Sequence, residues 1–135
     1  MAGAEMEQAS PLARWHQLVE SCDLEGIPAL LADEVVFHSP VVHTPQRGKK
    51  IASLYLQAAF RVFDCRHFRY LREVVGPRDA VLEFLVVIDG IEVNGADMIS
   101  WNEEGLITDF KVMLRPLQAI KLIHQKMAEL LPPKT

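Results

Sequence analysis

One carboxyl in the sequence falls on a predicted apolar strand face, where its type and position suit chemistry. Asp97 lies two residues before Ile99 and four before Trp101. Because side chains alternate along a strand, these three share a face. Loss of water disfavours the ionised form of a carboxyl and raises its pKa unless a partner compensates. Asp97 is therefore a candidate functional residue. The alternative is a position at a sheet edge or an ion pair with an arginine.

Three more polar residues lie around the end of the first predicted strand. His38 and Ser39 end that strand, and His43 follows in a loop. Histidine titrates near neutrality, so either histidine could act as a base, although alternation points His38 away from Ser39. Plain surface positions are the alternative. No helical histidine pair or cysteine partner accompanies them, so we predict no metal site and no cofactor.

A basic and aromatic stretch imitates an RNA-binding surface. Arginines at 61, 66, 69 and 72 interleave with Phe63, Phe68 and Tyr70. The formal net charge of the chain is −4, which favours a solvated edge strand instead. The sequence has no phosphate-binding glycine loop, no serine-hydrolase elbow and no apolar run of membrane-spanning length. We therefore expect neither nucleic acid nor membrane as a partner.

Helical patterns dominate the first part of the chain and strand patterns the second, which predicts an α+β fold. Ser10-Pro11 is a helix start, Lys49–Phe63 is a helix with apolar residues around much of its circumference, and Pro116 opens a last helix. Turns rich in glycine, aspartate and asparagine join the later strands into an antiparallel meander. The predicted strands are Glu34–Ser39, His67–Val75, Ala80–Ile88, Glu92–Trp101 and Leu106–Leu114.

The length of 135 residues suits one domain, which we place at residues 10–135 after a flexible arm at 1–9. The start of the chain lacks the basic residues and apolar core of a signal peptide. Cys22 and Cys65 suggest no disulfide framework, so a reducing compartment, the cytoplasm, is expected.

A series of short motifs runs along residues 12–115: Arg14–Val19, Asp23–Glu25, Phe37–Pro40, Gly48–Ile51 with Tyr55, and Asp97–Trp101 followed by Glu103–Ile107. In this order the series resembles the nuclear-transport-factor-2-like superfamily, in its SnoaL-like, ketosteroid-isomerase-like branch. The resemblance implies a cone-shaped, strongly curved antiparallel sheet (a cystatin-like fold) packed on N-terminal helices around an apolar pocket. It also implies a homodimer formed through the outer sheet face. The C-terminal helix lies beyond the resemblance.

The resemblance also implies three chemical roles. In the isomerases a tyrosine and a protonated aspartic acid hold an oxyanion, and a second aspartate moves the proton. By position these roles fall on Trp15, Asp97 and Ser39. An indole donates a hydrogen bond but transfers no proton at neutral pH, and an unassisted serine is a weak base. Asp97, Ser39 and the neighbouring His38 are the catalytic candidates, and the isomerase mechanism itself is not expected.

Two functional hypotheses follow. The first is a small-molecule pocket protein, an isomerase, cyclase or hydrolase of a small apolar carbonyl, epoxide or polyketide-like compound, with Ser39 in place of the base. The second is a non-catalytic ligand-binding or dimerisation module, in which the apolar residues only fill the core. The predicted ligand-binding residues are Trp15, Tyr55, Phe63, Leu82, Phe84, Val86, Ile99, Trp101, Phe110, Val112 and Leu114.

Overall fold

A computed structural model describes residues 10–131, and the expectation of an N-terminal arm lies outside this range. Four α-helices and a 3₁₀ turn at Leu24–Gly26 are present in this part of the chain. No helix within it is both long and apolar enough to cross a membrane. The helices are α1 (Pro11–Ser21), α2 (Ile27–Leu30), α3 (Lys49–Phe63) and α4 (Leu117–Leu130).

Six strands form one curved, unclosed sheet in the order β2-β1-β6-β5-β4-β3. The predicted meander from β3 to β6 is confirmed, since each consecutive pair is antiparallel. The first strand pairs with β6 in parallel and begins three residues earlier than predicted, and a two-residue strand lies within the predicted loop. The strands are β1 (Leu31–His38), β2 (Gln46–Arg47), β3 (Arg69–Val75), β4 (Asp79–Ile88), β5 (Ile91–Trp101) and β6 (Ile107–Arg115).

Local sequence signals explain where several elements begin and end. The hydroxyl of Ser10 accepts a hydrogen bond from the Ala13 N–H at 3.1 Å, which caps α1 as predicted. Asp89 and Gly90 join β4 to β5 with φ angles of 52° and 77°. Two consecutive positive φ angles match the twist of a two-residue hairpin, and an Asp-Gly pair adopts them readily. The hairpin turn holds the register of β4 against β5.

The helices and the inner sheet face enclose a single apolar core. Trp15 from α1, Phe60 from α3 and Phe110 from β6 meet there. The C-terminal helix completes the core by burying Ile123 and Met127. An ion pair of 3.0 Å between Lys126 and Asp89 joins that helix to the β4–β5 turn. Helix α4 is therefore part of the packed domain.

A disulfide bond joins Cys22, directly after α1, to Cys65, two residues after the end of α3. The number and spacing of the cysteines predict no disulfide framework, so this bond was not expected from the sequence. They are 43 residues apart in sequence, but the packing of α1 and α3 brings their Cα atoms to 5.9 Å. Disulfides persist mainly in oxidising environments. The expectation of a cytoplasmic location therefore loses the support that it drew from reduced cysteines.

The disulfide generates the first prediction. Replacing Cys22 by serine opens a covalent loop, which spans 43 residues. The chain-entropy relation for a loop of this length gives a loss of ~4 kcal/mol in the free energy of unfolding. Denaturant unfolding of Cys22→Ser, Cys65→Ser and the double variant measures it, and we expect equal losses in all three. Unchanged stability of the single variants would contradict a closed disulfide.

Candidate functional site

Three side chains from three different elements form one hydrogen-bonded chain inside the domain. The indole Nε1 of Trp15 donates to the Tyr70 hydroxyl at 2.9 Å. That hydroxyl in turn donates to Oδ2 of Asp97 at 2.5 Å. The residues come from α1, β3 and β5, so the chain crosses from helix to sheet. We call these three residues the Trp15–Tyr70–Asp97 chain.

Burial controls the ionisation of this chain. Asp97 is only 2% exposed, and loss of water raises the pKa of its carboxyl from 3.8 to about 7, opposed by the hydrogen bond from Tyr70. Burial first, and then the nearby Asp97 carboxyl, raise the pKa of the Tyr70 phenol well above its ordinary value. The phenol therefore keeps its proton near neutral pH, whereas Asp97 exchanges its own.

Edge-to-face contacts with two aromatic rings hold Trp15, the first residue of the Trp15–Tyr70–Asp97 chain, in place. Trp15 is fully buried, and its ring meets Phe110 at 4.9 Å and Phe60 at 5.4 Å between centroids, both edge to face. Edge-to-face contacts define ring orientation as well as burial. The indole N–H is thus fixed toward the Tyr70 hydroxyl.

A close approach of two strands places the tyrosine ring. A Cβ added to Gly95 would lie 2.5 Å from Cζ of Phe84 and 2.6 Å from the carbonyl oxygen of Met113. The absence of a side chain there allows the Phe84 ring to lie across β5 and stack on Phe68 at 4.6 Å. Phe68 meets the Tyr70 ring edge to face at 5.0 Å. A glycine two residues before Asp97 thereby supports the wall that orients Tyr70.

The predicted apolar residues do share one core, as alternation and the resemblance indicate. Trp101 and Leu114 are partly buried at its margin, and the other nine are buried. Of four surface grooves on residues 10–131, none is lined by Asp97, and one, of about 710 Å³, is lined by Tyr70, His16 and Glu73. Asp97 is thus enclosed, and Tyr70 is the member of the hydrogen-bonded chain that borders a groove.

The other two catalytic candidates lie apart from this chain. His38 follows the inward-facing Phe37 on β1 and pairs with Asp109 of β6 at 3.0 Å, on the outer side of the sheet. The hydroxyl of Ser39 accepts the N–H of Val41 at 3.2 Å in the loop after β1. Within residues 10–131, neither forms a hydrogen bond with the chain that contains Asp97.

Tyr70 is the residue that sequence reasoning missed. In the sequence it lies among the arginines of a possible RNA-binding stretch. Alternation along the predicted strand puts Tyr70 on the same face as Phe68, and that apolar neighbour was the available signal. The pairing itself could not be read, because Tyr70 and Asp97 lie on strands that are separated by β4.

Residues 10–131 contain no group of three or more histidine, cysteine or acidic side chains placed to hold a metal ion. His16 and Glu73 form a pair at the surface next to Tyr70, and the centroids of the His16 and Tyr70 rings are 5.2 Å apart. This pair offers a metal ion one imidazole and one carboxylate at most. The chemistry of the site is that of a carboxyl, a phenol and an indole.

The fold of this domain is shared with known proteins. The family model for the SnoaL-like domain matches residues 12–110. No curated protein sequence matches the chain. A steroid delta-isomerase from Pseudomonas aeruginosa is 36% identical over 88% of this chain and 87% of its own, with a TM-score of 0.84.

Two further solved structures show the same fold. An uncharacterised bacterial protein with a cystatin-like fold from Silicibacter pomeroyi is 32% identical over 88% of this chain and 83% of its own, with a TM-score of 0.81. A protein of ketosteroid-isomerase-like fold from Catenulispora acidiphila, in complex with trimethylamine, is 13% identical over 90% of this chain and 97% of its own, with a TM-score of 0.63. The chain belongs to the SnoaL-like domain family, within the nuclear-transport-factor-2-like superfamily.

The raised pKa of Asp97 generates the second prediction. Below pH 3.8 the Asp97 carboxyl is protonated in both the folded and the unfolded state. Between pH 3.8 and about 7 it ionises only in the unfolded state, so the free energy of unfolding falls as the pH rises. Above about pH 7 it is ionised in both states, and the free energy of unfolding becomes constant. Asp97→Asn removes that cost and keeps an acceptor for Tyr70. One pKa unit corresponds to ~1.4 kcal/mol, so the asparagine variant is more stable at pH 8 by up to about 4 kcal/mol.

Denaturant unfolding at pH 4 and pH 8 makes this measurement, with Asp33→Asn as a matched control. The Asp33 side chain is 96% exposed, so its substitution changes stability by no more than about 0.5 kcal/mol at either pH. If Asp97→Asn is instead the less stable protein at pH 8, the carboxyl is ionised and compensated in the folded state.

Proposed function

We propose that this chain is an isomerase-like small-molecule protein that moves a proton on a small apolar carbonyl compound. Asp97 is the acid–base of this proposal and Tyr70 its hydrogen-bond donor. The observation that supports it is the chain of hydrogen bonds from Trp15 through Tyr70 to a buried carboxyl with a pKa of about 7. A group that titrates near the working pH both accepts and returns protons efficiently.

The proposed reaction uses the two states of Asp97 in turn. The carboxylate takes a proton from the carbon beside the carbonyl, and the C–H electron pair moves into an enolate. Once Asp97 is protonated it no longer requires the Tyr70 proton, so the phenol can donate to the enolate oxygen. Asp97 then returns the same proton to another carbon of the enolate system. No external oxidant or reductant is needed.

This assignment differs from the one expected from the isomerase resemblance. There the base position falls on Ser39, whose hydroxyl accepts a backbone N–H in this structure. Asp97 takes the proton-transfer role here because its pKa suits that role. Trp15 acts as a positioning residue: it orients the Tyr70 oxygen by donating to it.

The substrate class is argued from the surroundings and from one relative. The interior is apolar and aromatic, so it would favour a compound with few polar groups besides one carbonyl. The relative at 36% identity is named as a steroid delta-isomerase, and a steroid ring system is largely apolar. Entry next to Tyr70 would use the groove lined by His16, Phe68 and Glu73. Binding also requires core side chains to move, because Asp97 is almost completely enclosed.

That enclosure also favours a second candidate, a non-catalytic module of the same fold. Trp15, Phe84 and Phe110 are fully buried, and none of the grooves described above is lined by Asp97. Native mass spectrometry on protein purified without added compounds separates the candidates. A retained small molecule that is lost in Asp97→Asn or Tyr70→Phe favours the pocket protein.

The third prediction concerns catalysis on β,γ-unsaturated cyclic ketones, with and without a steroid ring system. The active base is ionised Asp97, so kcat/KM rises with pH through about 7 and then reaches a plateau. Asp97→Asn lowers kcat by a factor on the order of 10² to 10⁴. Formation of the conjugated ketone, followed by ultraviolet absorbance and by deuterium uptake in heavy water, measures both.

Two variants sharpen this test. Tyr70→Phe removes the hydrogen bond that lowers the pKa of Asp97, so its pH profile moves to higher pH while its kcat falls. Ser39→Ala is the matched control and keeps both the rate and the profile. A rate that depends on Ser39 and not on Asp97 contradicts the assignment. Absence of turnover across the panel, together with absence of a bound molecule, favours the module.

The fourth prediction is a homodimer formed through the outer sheet face. That face exposes Val74, Val81, Val87, Met98 and Met113, at 36–64% of their surfaces. A contiguous apolar patch of this kind is unusual on a monomer, and a twofold pair covers it on both copies. Light scattering at tens of micromolar protein should give twice the 15.2 kDa chain mass.

The matched control for the dimer places lysine on two exposed apolar positions. Met113→Lys, on the outer face, should shift the protein to the monomer. Leu117→Lys, which is 65% exposed at the start of α4 and off the sheet, should leave the dimer intact. A monomeric unmodified chain contradicts the prediction, as does an equal effect of the two lysines.

A further inference from the structure

A second groove lies along helix α3, away from the Trp15–Tyr70–Asp97 chain. It has a volume of about 690 Å³ and shares no residue with that chain. One end carries three basic side chains and the side wall is apolar, and no acidic residue lines it. We call it the α3 groove. Its basic residues are Arg47, Lys49 and Lys50, and its apolar residues are Pro28, Ile51 and Leu54.

The basic end of the α3 groove coincides with an uncapped helix N-terminus. Helix α3 has 15 residues, its N-cap is Gly48, no side chain caps it, and its first turn holds no acidic residue. The N–H of Gly48 is used by the carbonyl of Val35 at 2.7 Å. The next N–H groups, from Lys49 to Ile51, precede the first intrahelical bond, from Ala52 N to Gly48 O at 3.0 Å. Such a terminus attracts anions through its dipole and its free donors.

A buried serine supplies an independent indication of a ligand. Ser53 lies one helical turn after Lys49, lines the α3 groove and is 6% exposed. Its Oγ has no hydrogen-bond partner among the described residues. Helical serines can satisfy this group by bonding to the carbonyl four residues earlier, and Ser53 does not. Leaving a buried hydroxyl unpaired is costly, so a ligand acceptor that reaches Oγ from the groove would remove that cost.

Within residues 10–131, the acidic side chain that pairs with a lysine of the groove is Asp33, 3.5 Å from Nζ of Lys49. Its side chain is 96% exposed, and pairs of this kind contribute little. The cluster of three cations is notable because the chain as a whole has a net charge of −4. Its positive charge is therefore available to a ligand.

We propose that the α3 groove binds small amphiphilic anions. A phosphate or carboxylate head lies at the N–H groups of the first turn, between Lys49 and Lys50. An apolar tail of a few carbon atoms follows Ile51 and Leu54. The Ser53 hydroxyl donates to a second oxygen of the head group. This site goes beyond the proposed acid–base function, because it concerns binding at a separate surface.

The test is a titration of the full chain with four probes: octyl phosphate, octanoate, octanol and inorganic phosphate. Calorimetry gives the affinities, and amide chemical shifts of residues 49–53 locate the binding. We expect octyl phosphate or octanoate to bind at least about tenfold more tightly than octanol, since a charge-assisted contact is worth that much. The two anions distinguish a phosphate head from a carboxylate head. Higher salt should weaken both.

Variants assign the contacts. Lys49→Gln with Lys50→Gln should weaken binding of the anionic probe at least about tenfold, and Ser53→Ala about threefold, as expected for charged and neutral hydrogen bonds. Lys121→Gln, an exposed lysine of α4, is the matched control and leaves the affinity unchanged. Asp97→Asn also leaves it unchanged, which keeps this test separate from that of the acid–base function.

Three outcomes would overturn the proposal. The first is octanol binding as tightly as octyl phosphate, which would make the groove merely apolar. The second is an unchanged affinity in the double lysine variant. The third is an unchanged affinity in Ser53→Ala, because the buried hydroxyl is part of the proposed site.

Discussion

The hydrogen bond between the Tyr70 phenol and the Asp97 carboxyl is the constraint around which the inner face of the sheet is arranged. A carboxyl enclosed by aromatic rings is stable only with a donor, and a buried phenol also requires a partner. Tyr70 satisfies Asp97, and Trp15 satisfies Tyr70 in turn, at 2.5 Å and 2.9 Å. These two hydrogen bonds fix helix α1 against β3 and β5. They also explain why position 15 of the helix holds a tryptophan, whose indole can donate, rather than a phenylalanine.

The same arrangement is costly, which bears on function. Burial raises the pKa of Asp97 to about 7, and so its ionised form opposes folding at neutral pH. An asparagine would meet the hydrogen bond of Tyr70 without that cost. A residue that is worse for stability than an available substitute is characteristic of sites that serve chemistry. The packed core around Asp97 opposes this interpretation, because a substrate must displace side chains to reach it.

The molecule divides its other surfaces by chemistry. The outer face of the sheet exposes valines and methionines, whereas the N-terminal end of α3 gathers Arg47, Lys49 and Lys50. The disulfide between Cys22 and Cys65 fastens the opposite end of α3 to α1. One helix thus contributes its buried side to the core, one end to a basic groove and the other end to a covalent link. These features are compatible in a small domain because each uses a different part of the helix.

The sequence by itself determined the features that depend on local periodicity. The strand period of two placed Asp97 on the inner face with Ile99, and the capping serine and the Asp-Gly turn marked where α1 begins and where β4 meets β5. The resemblance added the curved sheet and indicated Trp15 as a hydrogen-bond donor. Only the tertiary structure decided which side chains meet. Tyr70 reaches Asp97 across an intervening strand, Cys22 reaches Cys65 through helix packing, and β1 joins β6 in parallel. It also decided how completely Asp97 is enclosed, because burial depends on the packing of side chains from many elements. The residue pattern of a sequence indicates which side chains share a face of a helix or strand, but it does not give the distances between different helices and strands.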